Sequence, residues 1–65
     1  MFQSYATNLL PGDRIIGFPF STPVIVNLVR PSREFGRVWI DYTKPGKGAD
    51  AGLFSACCTF NVERS

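Results

Sequence analysis

The chain has 65 residues, seven Lys or Arg against five Asp or Glu, and no histidine. That is enough for one domain with one small core, and a net charge of +2 is too weak to drive tight nucleic-acid binding unaided. Without His there is no ordinary proton-transfer group near neutral pH, and scattered carboxylates do not replace it, so the chain is expected not to be an enzyme.

Residues 1–9 are weakly patterned and read as an N-terminal arm, pinned by Tyr5 and Leu9. Leu10-Pro11-Gly12-Asp13 is a turn with a mechanism: Pro11 presets φ, Gly12 permits a positive φ, and the Asp13 carboxylate accepts from nearby amides. Leu10 is expected to plug the core and Arg14 to point outward. A first strand follows over 14–18, stopped by Phe18-Pro19-Phe20, because Pro19 cannot donate to a ladder. Residues 24–29 form a β-branched run between Pro23 and Pro31. Taking Asn27 as outward puts Val24, Val26 and Leu28 inside and Ile25 and Val29 outside.

Residues 31–34 read as a turn, and Gly36 as a bulge candidate at the entry to the next strand. Residues 37–43 alternate cleanly, with Val38, Ile40 and Tyr42 on one face and Arg37, Trp39, Asp41 and Thr43 on the other. Residues 44–52 are polar and glycine-rich and are expected to be a mobile loop. Leu53 and Phe54 begin a short fourth strand, residues 55–58 suit one tight helical turn, and residues 59–63 alternate again with Phe60 and Val62 inward. The expected core is Leu10, Ile15, Phe18, Val24, Val26, Leu28, Val38, Ile40, Tyr42, Phe54, Phe60 and Val62.

The order of a Pro-Gly-Asp turn, a short strand, an irregular loop, two longer strands, a loop, a short strand, a tight helical turn and a last strand resembles the SH3-like small β-barrel. The residues that carry it are Leu10-Pro11-Gly12-Asp13-Arg14-Ile15, Gly36-Arg37-Val38-Trp39-Ile40-Asp41-Tyr42, and the stretch from Phe54 to Val62. The resemblance covers residues 9–64 and implies an all-β, five-stranded barrel over 10–64 that works as an interaction module. Stand-alone barrels of this length are similar to small accessory proteins of bacteriophages and bacteria. The acidic and aromatic run with which such domains bind proline-rich peptides is missing, so that activity is not carried over. Fold alone does not set function.

Several features have two readings. Cys57 and Cys58 are adjacent, so pairing them would staple no long loop; reduced, partly buried thiols are the plainer alternative. Without His they make at most half a zinc site, and no metal or cofactor is expected. Lys44-Pro45-Gly46-Lys47-Gly48 has the wrong spacing for a phosphate loop and reads as a hairpin. Trp39 either packs beneath the arm or against Ile25 and Val29, or is an exposed anchor for a partner. Phe18 and Phe20 pose the same choice, and Phe20 looks hard to bury without a partner.

The leading expectation is a protein-binding or assembly module using Trp39, Arg37, Phe18 and Phe20, its partner another protein or copies of itself. The alternative is a nucleic-acid-binding barrel in which Arg30, Arg33, Arg37, Lys44 and Lys47 follow phosphates while Trp39 stacks on a base. No signal peptide or membrane span is visible, so the chain is expected in the cytoplasm, or in a particle assembled there, without membrane contact.

Overall fold

Pro31, Gly48 and Gly52 are accommodated within strands, but Pro11-Gly12, Pro19, Pro23, Gly36 and Pro45-Gly46 mark the breaks of this chain. In the structure, a computed structural model that describes residues 1–64, the segments between them become β1 (Phe2–Tyr5), β2 (Arg14–Ile16), β3 (Val24–Pro31), β4 (Arg37–Lys44), β5 (Gly48–Ser55) and β6 (Thr59–Glu63). Among the described residues they form one antiparallel sheet in the order β1-β6-β2-β3-β4-β5. The all-β expectation holds. The closed five-stranded barrel does not: there are six strands, and the sheet is open, with β1 and β5 at its edges.

The extra strand is the expected arm. Phe2–Tyr5 pairs with β6 from Phe2 opposite Val62 to Tyr5 opposite Thr59, and a 3-10 turn at Ala6–Asn8 follows. Ala6 and Leu9 from this segment are core residues. The expected helical turn at 55–58 is a β-turn instead, closed by the Cys58 N–H donating to the Ser55 carbonyl at 3.0 Å.

The supposed mobile loop is mostly β5. Lys47 N–H donates to the Lys44 carbonyl at 2.9 Å, and Gly46 takes φ +81° at the third position of that turn, where a Cβ is strained. The chain reverses within residues 44–47, and the next eight residues pair with β4 from Gly48 opposite Lys44 to Ser55 opposite Arg37. Small residues with little strand propensity of their own are ordered here by pairing with a strong neighbour.

The inner face carries the core. Ala6, Leu9, Ile15, Val24, Val26, Val38, Ile40, Tyr42, Phe60 and Val62 are buried, with Phe20, Val29 and Phe54 packed against them. Three expected core residues lie outside. Leu10 is exposed, and Leu9 takes the buried place. Phe18 is 90% exposed, while Phe20 turns back onto the core. Leu28 is 48% exposed because the register of β3 against β4 skips a residue between Val26 and Leu28. That bulge at Asn27 reverses the parity of everything after it, so Val29 faces inward. Gly36, the expected bulge, is instead a turn residue at φ +80°.

The turn at 10–13 forms as its residues dictate. Gly12 sits at φ +93°, Asp13 N–H donates to the Leu10 carbonyl at 3.0 Å, and Leu10 N–H donates to Asp13 Oδ2 at 2.9 Å. The Asp13 carboxylate, only 1% exposed, also takes both prongs of the Arg64 guanidinium at 2.7 Å each. This fork joins the turn before β2 to the residue after β6. It is a structural clasp, which accounts for Asp13 without assigning it a binding role.

Candidate protein-binding surface

The alternation of β4 sets the site. Val38, Ile40 and Tyr42 fill the inner face, which forces Trp39 and Asp41 onto the outer one. Cross-strand pairing places Arg30 of β3 and Leu53 of β5 on either side of Trp39, and Leu28 opposite Asp41. Arg30 then reaches over the face. Its guanidinium stands 5.9 Å from the Trp39 ring centroid, within cation–π range, and closes a fork on Asp41 with Nε to Oδ2 and Nη2 to Oδ1 both at 2.8 Å. The hydrogen bonds from Arg30 hold the Asp41 carboxyl below its ordinary pKa. Beside them, Asn27 Nδ2 donates to Thr43 Oγ1 at 2.9 Å.

The result is a flat, half-exposed apolar strip of Leu28, Trp39 and Leu53 whose one ion pair is neutralised within the strip. Neither expected cover for Trp39 is present. β1 pairs with β6, and Ala6 and Leu9 pack into the core on the inner face, while Val29 faces inward and Ile25 stands opposite Thr43 at the other end of the β3–β4 pair. Trp39 is half-buried by its strand neighbours alone.

The other expected anchors separate. Phe20 meets Tyr42 edge-on at 4.9 Å between centroids and lies 6.2 Å from Phe54, so it seals the inner face and is not beside Trp39. Its burial needs no partner, contrary to the sequence reading. Phe18 projects from the β2–β3 loop into solvent. Arg37 starts β4 on the outer face and pairs with Glu34 at 3.1 Å. Trp39 and Arg37 therefore share a face, while Phe18 and Phe20 belong to the loop that closes the core.

The basic residues are also divided. All five Asp and Glu side chains are in ion pairs: Asp13 with Arg64, Glu63 with Arg14, Glu34 with Arg37, Asp41 with Arg30, and Asp50 with Lys44. Of the seven basic side chains, five are used in these pairs, leaving two, Arg33 and Lys47, with no carboxylate within 4.0 Å among the described residues. Arg33 lies in the β3–β4 turn and Lys47 in the β4–β5 turn. These are opposite ends of β4, about 23 Å apart for an eight-residue strand. Lys44 and Lys47 do share a cleft of about 150 Å³ with Phe20, Ser21 and Thr22.

Two surface residues escaped the sequence reading. Leu28 is expected inward by unbroken alternation, and the polar Asn27 inside a β-branched run is the one signal for the bulge that turns it outward. Phe35 is fully exposed in the turn from Glu34 to Arg37. A Phe-Gly step there, with Gly36 at the position that needs positive φ, marks Phe35 as the turn tip.

Among the described residues no group of three or more His, Cys, Asp or Glu is gathered as a metal site, and no helix is long and apolar enough to cross a membrane. Cys57 and Cys58 are unpaired thiols, Cys57 exposed in the β5–β6 turn and Cys58 half-buried against the core. Compared with known proteins, the chain matches no family model, no curated protein and no solved structure. Its function is argued from its own surface.

Proposed function

We propose that this chain is a non-enzymatic protein-binding or assembly module, an opened relative of the SH3-like small barrel and similar in kind to small cytoplasmic accessory proteins of phages and bacteria. One observation carries the binding reading: the outer face of β3, β4 and β5 presents Leu28, Trp39 and Leu53 while the charges beside them are paired, Arg30 with Asp41 and, at the start of β4, Arg37 with Glu34. Such a strip loses little on desolvation and offers an aromatic anchor of the type enriched at binding hot spots. Exposed Phe18 and Phe35 add apolar surface at the two ends of the sheet's loops. The SH3-like reading is supported by the first part of the element order, the Pro-Gly-Asp turn, the short β2, the irregular loop and the two longer strands β3 and β4; the tight turn into an eight-residue β5 and the β-turn at 55–58 depart from it. The non-enzymatic reading is supported by the pairing of all five carboxylates, which leaves none free as an acid or base.

The nucleic-acid alternative is the weaker reading. A phosphate track needs adjacent unpaired cations, and the two here stand at opposite ends of β4. The experiment has two arms. Affinity capture from extracts of the encoding organism, with light scattering for self-association, is expected to show an interaction that Trp39→Glu combined with Leu28→Glu abolishes while the circular dichroism spectrum persists. Capture that survives both substitutions, or a strictly monomeric protein that captures nothing, overturns the proposal. Titration with mixed-sequence oligonucleotides at low salt is expected to show no binding, and saturable, salt-sensitive binding would instead favour the alternative.

A further inference from the structure

The two edges of the sheet are unequal. β1 is four residues long and its flank is tied down. Ala6 N–H donates to the Cys58 carbonyl at 2.7 Å, and the Arg64 guanidinium lies 4.6 Å from the Phe2 ring. β5 is eight residues long and has β4 as its one neighbour in the sheet. Exposed edges are normally defended by lysine, proline, a bulge, shortness or a cover. The β5 sequence Gly-Ala-Asp-Ala-Gly-Leu-Phe-Ser has one charged guard, Asp50, on the inner-face parity opposite Tyr42; it has no Lys, Arg or Pro, and its register against β4 runs without a shift.

The outward hydrogen-bonding groups of β5 can be assigned. Ala56 N–H donates to the Gly36 carbonyl at 2.8 Å, one step beyond Ser55 opposite Arg37, so the even-numbered residues bond β4 and Ala51, whose N–H donates to the carboxylate of Asp50 at 2.8 Å, belongs to the free edge. The two-residue period then puts the backbone groups of Ala49, Ala51, Leu53 and Ser55 on that edge.

We propose that β5 pairs antiparallel with β5 of a second copy of this chain, about a two-fold axis through Gly52, to give a dimer with one continuous sheet. This rests on the protein-binding reading and names the occupant and the site. A second copy fits because the strand is complementary to itself. With Gly52 opposite Gly52, Ala51 meets Leu53 and Ala49 meets Ser55, so every outward residue of one copy faces an outward residue of the other. On the outer face Ala51 stands against Leu53 and Ala49 against Ser55, so no two large side chains collide, and the strips of Leu53 and Trp39 from both copies become continuous. Charge is compatible as well. Asp50, the strand's one charged residue, falls opposite Phe54, and the two Asp50 side chains are separated by about four strand steps, roughly 13 Å, beyond the screening length of ~8 Å at physiological salt. Each copy spends its long free edge, so association closes at two.

Sedimentation equilibrium of the full chain from micromolar to millimolar concentration tests this. A reversible monomer–dimer equilibrium is expected. Ala51→Pro removes an edge N–H that β4 does not use, once in each copy, and is expected to weaken the dimer about tenfold or more. The double variant Ala49→Lys with Ala51→Lys is expected to do the same with its thermal melt unchanged, and it carries the test if the proline variant does not fold. A chain that stays monomeric to millimolar concentration, a dimer that persists in both folded variants, or assemblies larger than two overturns the proposal. If the chain is monomeric yet still captures a different protein in a Trp39-dependent manner, self-pairing fails and the protein-binding reading stands. If both are lost, both fail.

Discussion

The two halves of this sheet are held by different means. In β3, β4 and β5 each strand turns directly into its neighbour, and the Arg30–Asp41 fork joins residues eleven apart. In β1, β2 and β6 the strands come from opposite ends of the described chain. The Asp13–Arg64 fork joins residues 51 apart, and the Arg14–Glu63 pair residues 49 apart. The local half relies on tight turns and a shared core face, so its outer face is under little structural demand and is free to carry an apolar strip. The long-range half must offset a larger loop-closure entropy, and it does so with a carboxylate buried at 1% exposure. The buried charge clasp sits where the chain closes, and the exposed apolar strip where it folds back locally.

The sharpest way to break that contrast is at Asp13. Asp13→Ala strands the Arg64 guanidinium and leaves the Leu10 N–H unpaired beside a small void. A loss of about 3 kcal/mol is expected, or a fall of roughly 10–20 °C in Tm for a domain of this size. The pH dependence follows from the same clasp. Hydrogen bonds from Arg64, the leading cause, hold the Asp13 carboxyl below its ordinary value of 3.8 in the folded state. A depressed folded pKa means that the contribution is complete above 3.8 and is lost as pH falls from there through the folded value. Chemical denaturation of wild type and Asp13→Asn is therefore expected to show a stability gap at neutral pH that narrows below about pH 4. A gap that is constant down to pH 2 would remove the clasp from the account.

A smaller effect separates the two phenylalanines of the β2–β3 loop. Phe20 lies against Tyr42 and Phe54 at the open end of the core, whereas Phe18 is in solvent. Phe20→Ala is expected to cost about 2 kcal/mol, below the range of about 3–5 kcal/mol for a fully buried aromatic because the ring is only half-buried. Phe18→Ala is expected to stay within about 0.5 kcal/mol. Equal losses from the two would return both residues to the same role.

The sequence is legible wherever one physical signal dominates. The turn at 10–13, the alternation of β4 and the inward Phe60 and Val62 of β6 each rest on local geometry that nothing distant opposes. Three errors share one cause, a shift of one or two residues. Leu9 is buried in place of Leu10, Phe20 in place of Phe18, and Val29 in place of Leu28. Composition cannot tell such neighbours apart, because each pair has similar hydrophobicity and only the backbone path decides which one faces the core. β1 and most of β5 were missed for another reason. β1 has only four residues, too few to show a period, and residues 48–52 have weak intrinsic preference; both are strands because β6 and β4 offer them ladders. The candidate site suffered in proportion. Trp39 and Arg37 were placed on the correct face by alternation, but the Arg30–Asp41 fork and the exposure of Leu28 depend on the bulge at Asn27.

That bulge supports the mildest test, and one that bears directly on the binding strip. Because the register skips a residue between Val26 and Leu28, a polar side chain at Val29 enters the core while the same side chain at Leu28 meets water. Val29→Asn is expected to cost about 1–2 kcal/mol, a partly buried amide without a partner. Leu28→Asn is expected to stay within about 0.5 kcal/mol while weakening any interaction made through Trp39. The opposite order of stabilities would mean that β3 runs without a bulge. Leu28 would then belong to the core, Arg30 would face inward away from Trp39, and the strip would lose both its leucine and the ion pair that neutralises it. A single pair of urea titrations thus decides whether the surface on which the functional reading rests is built as described.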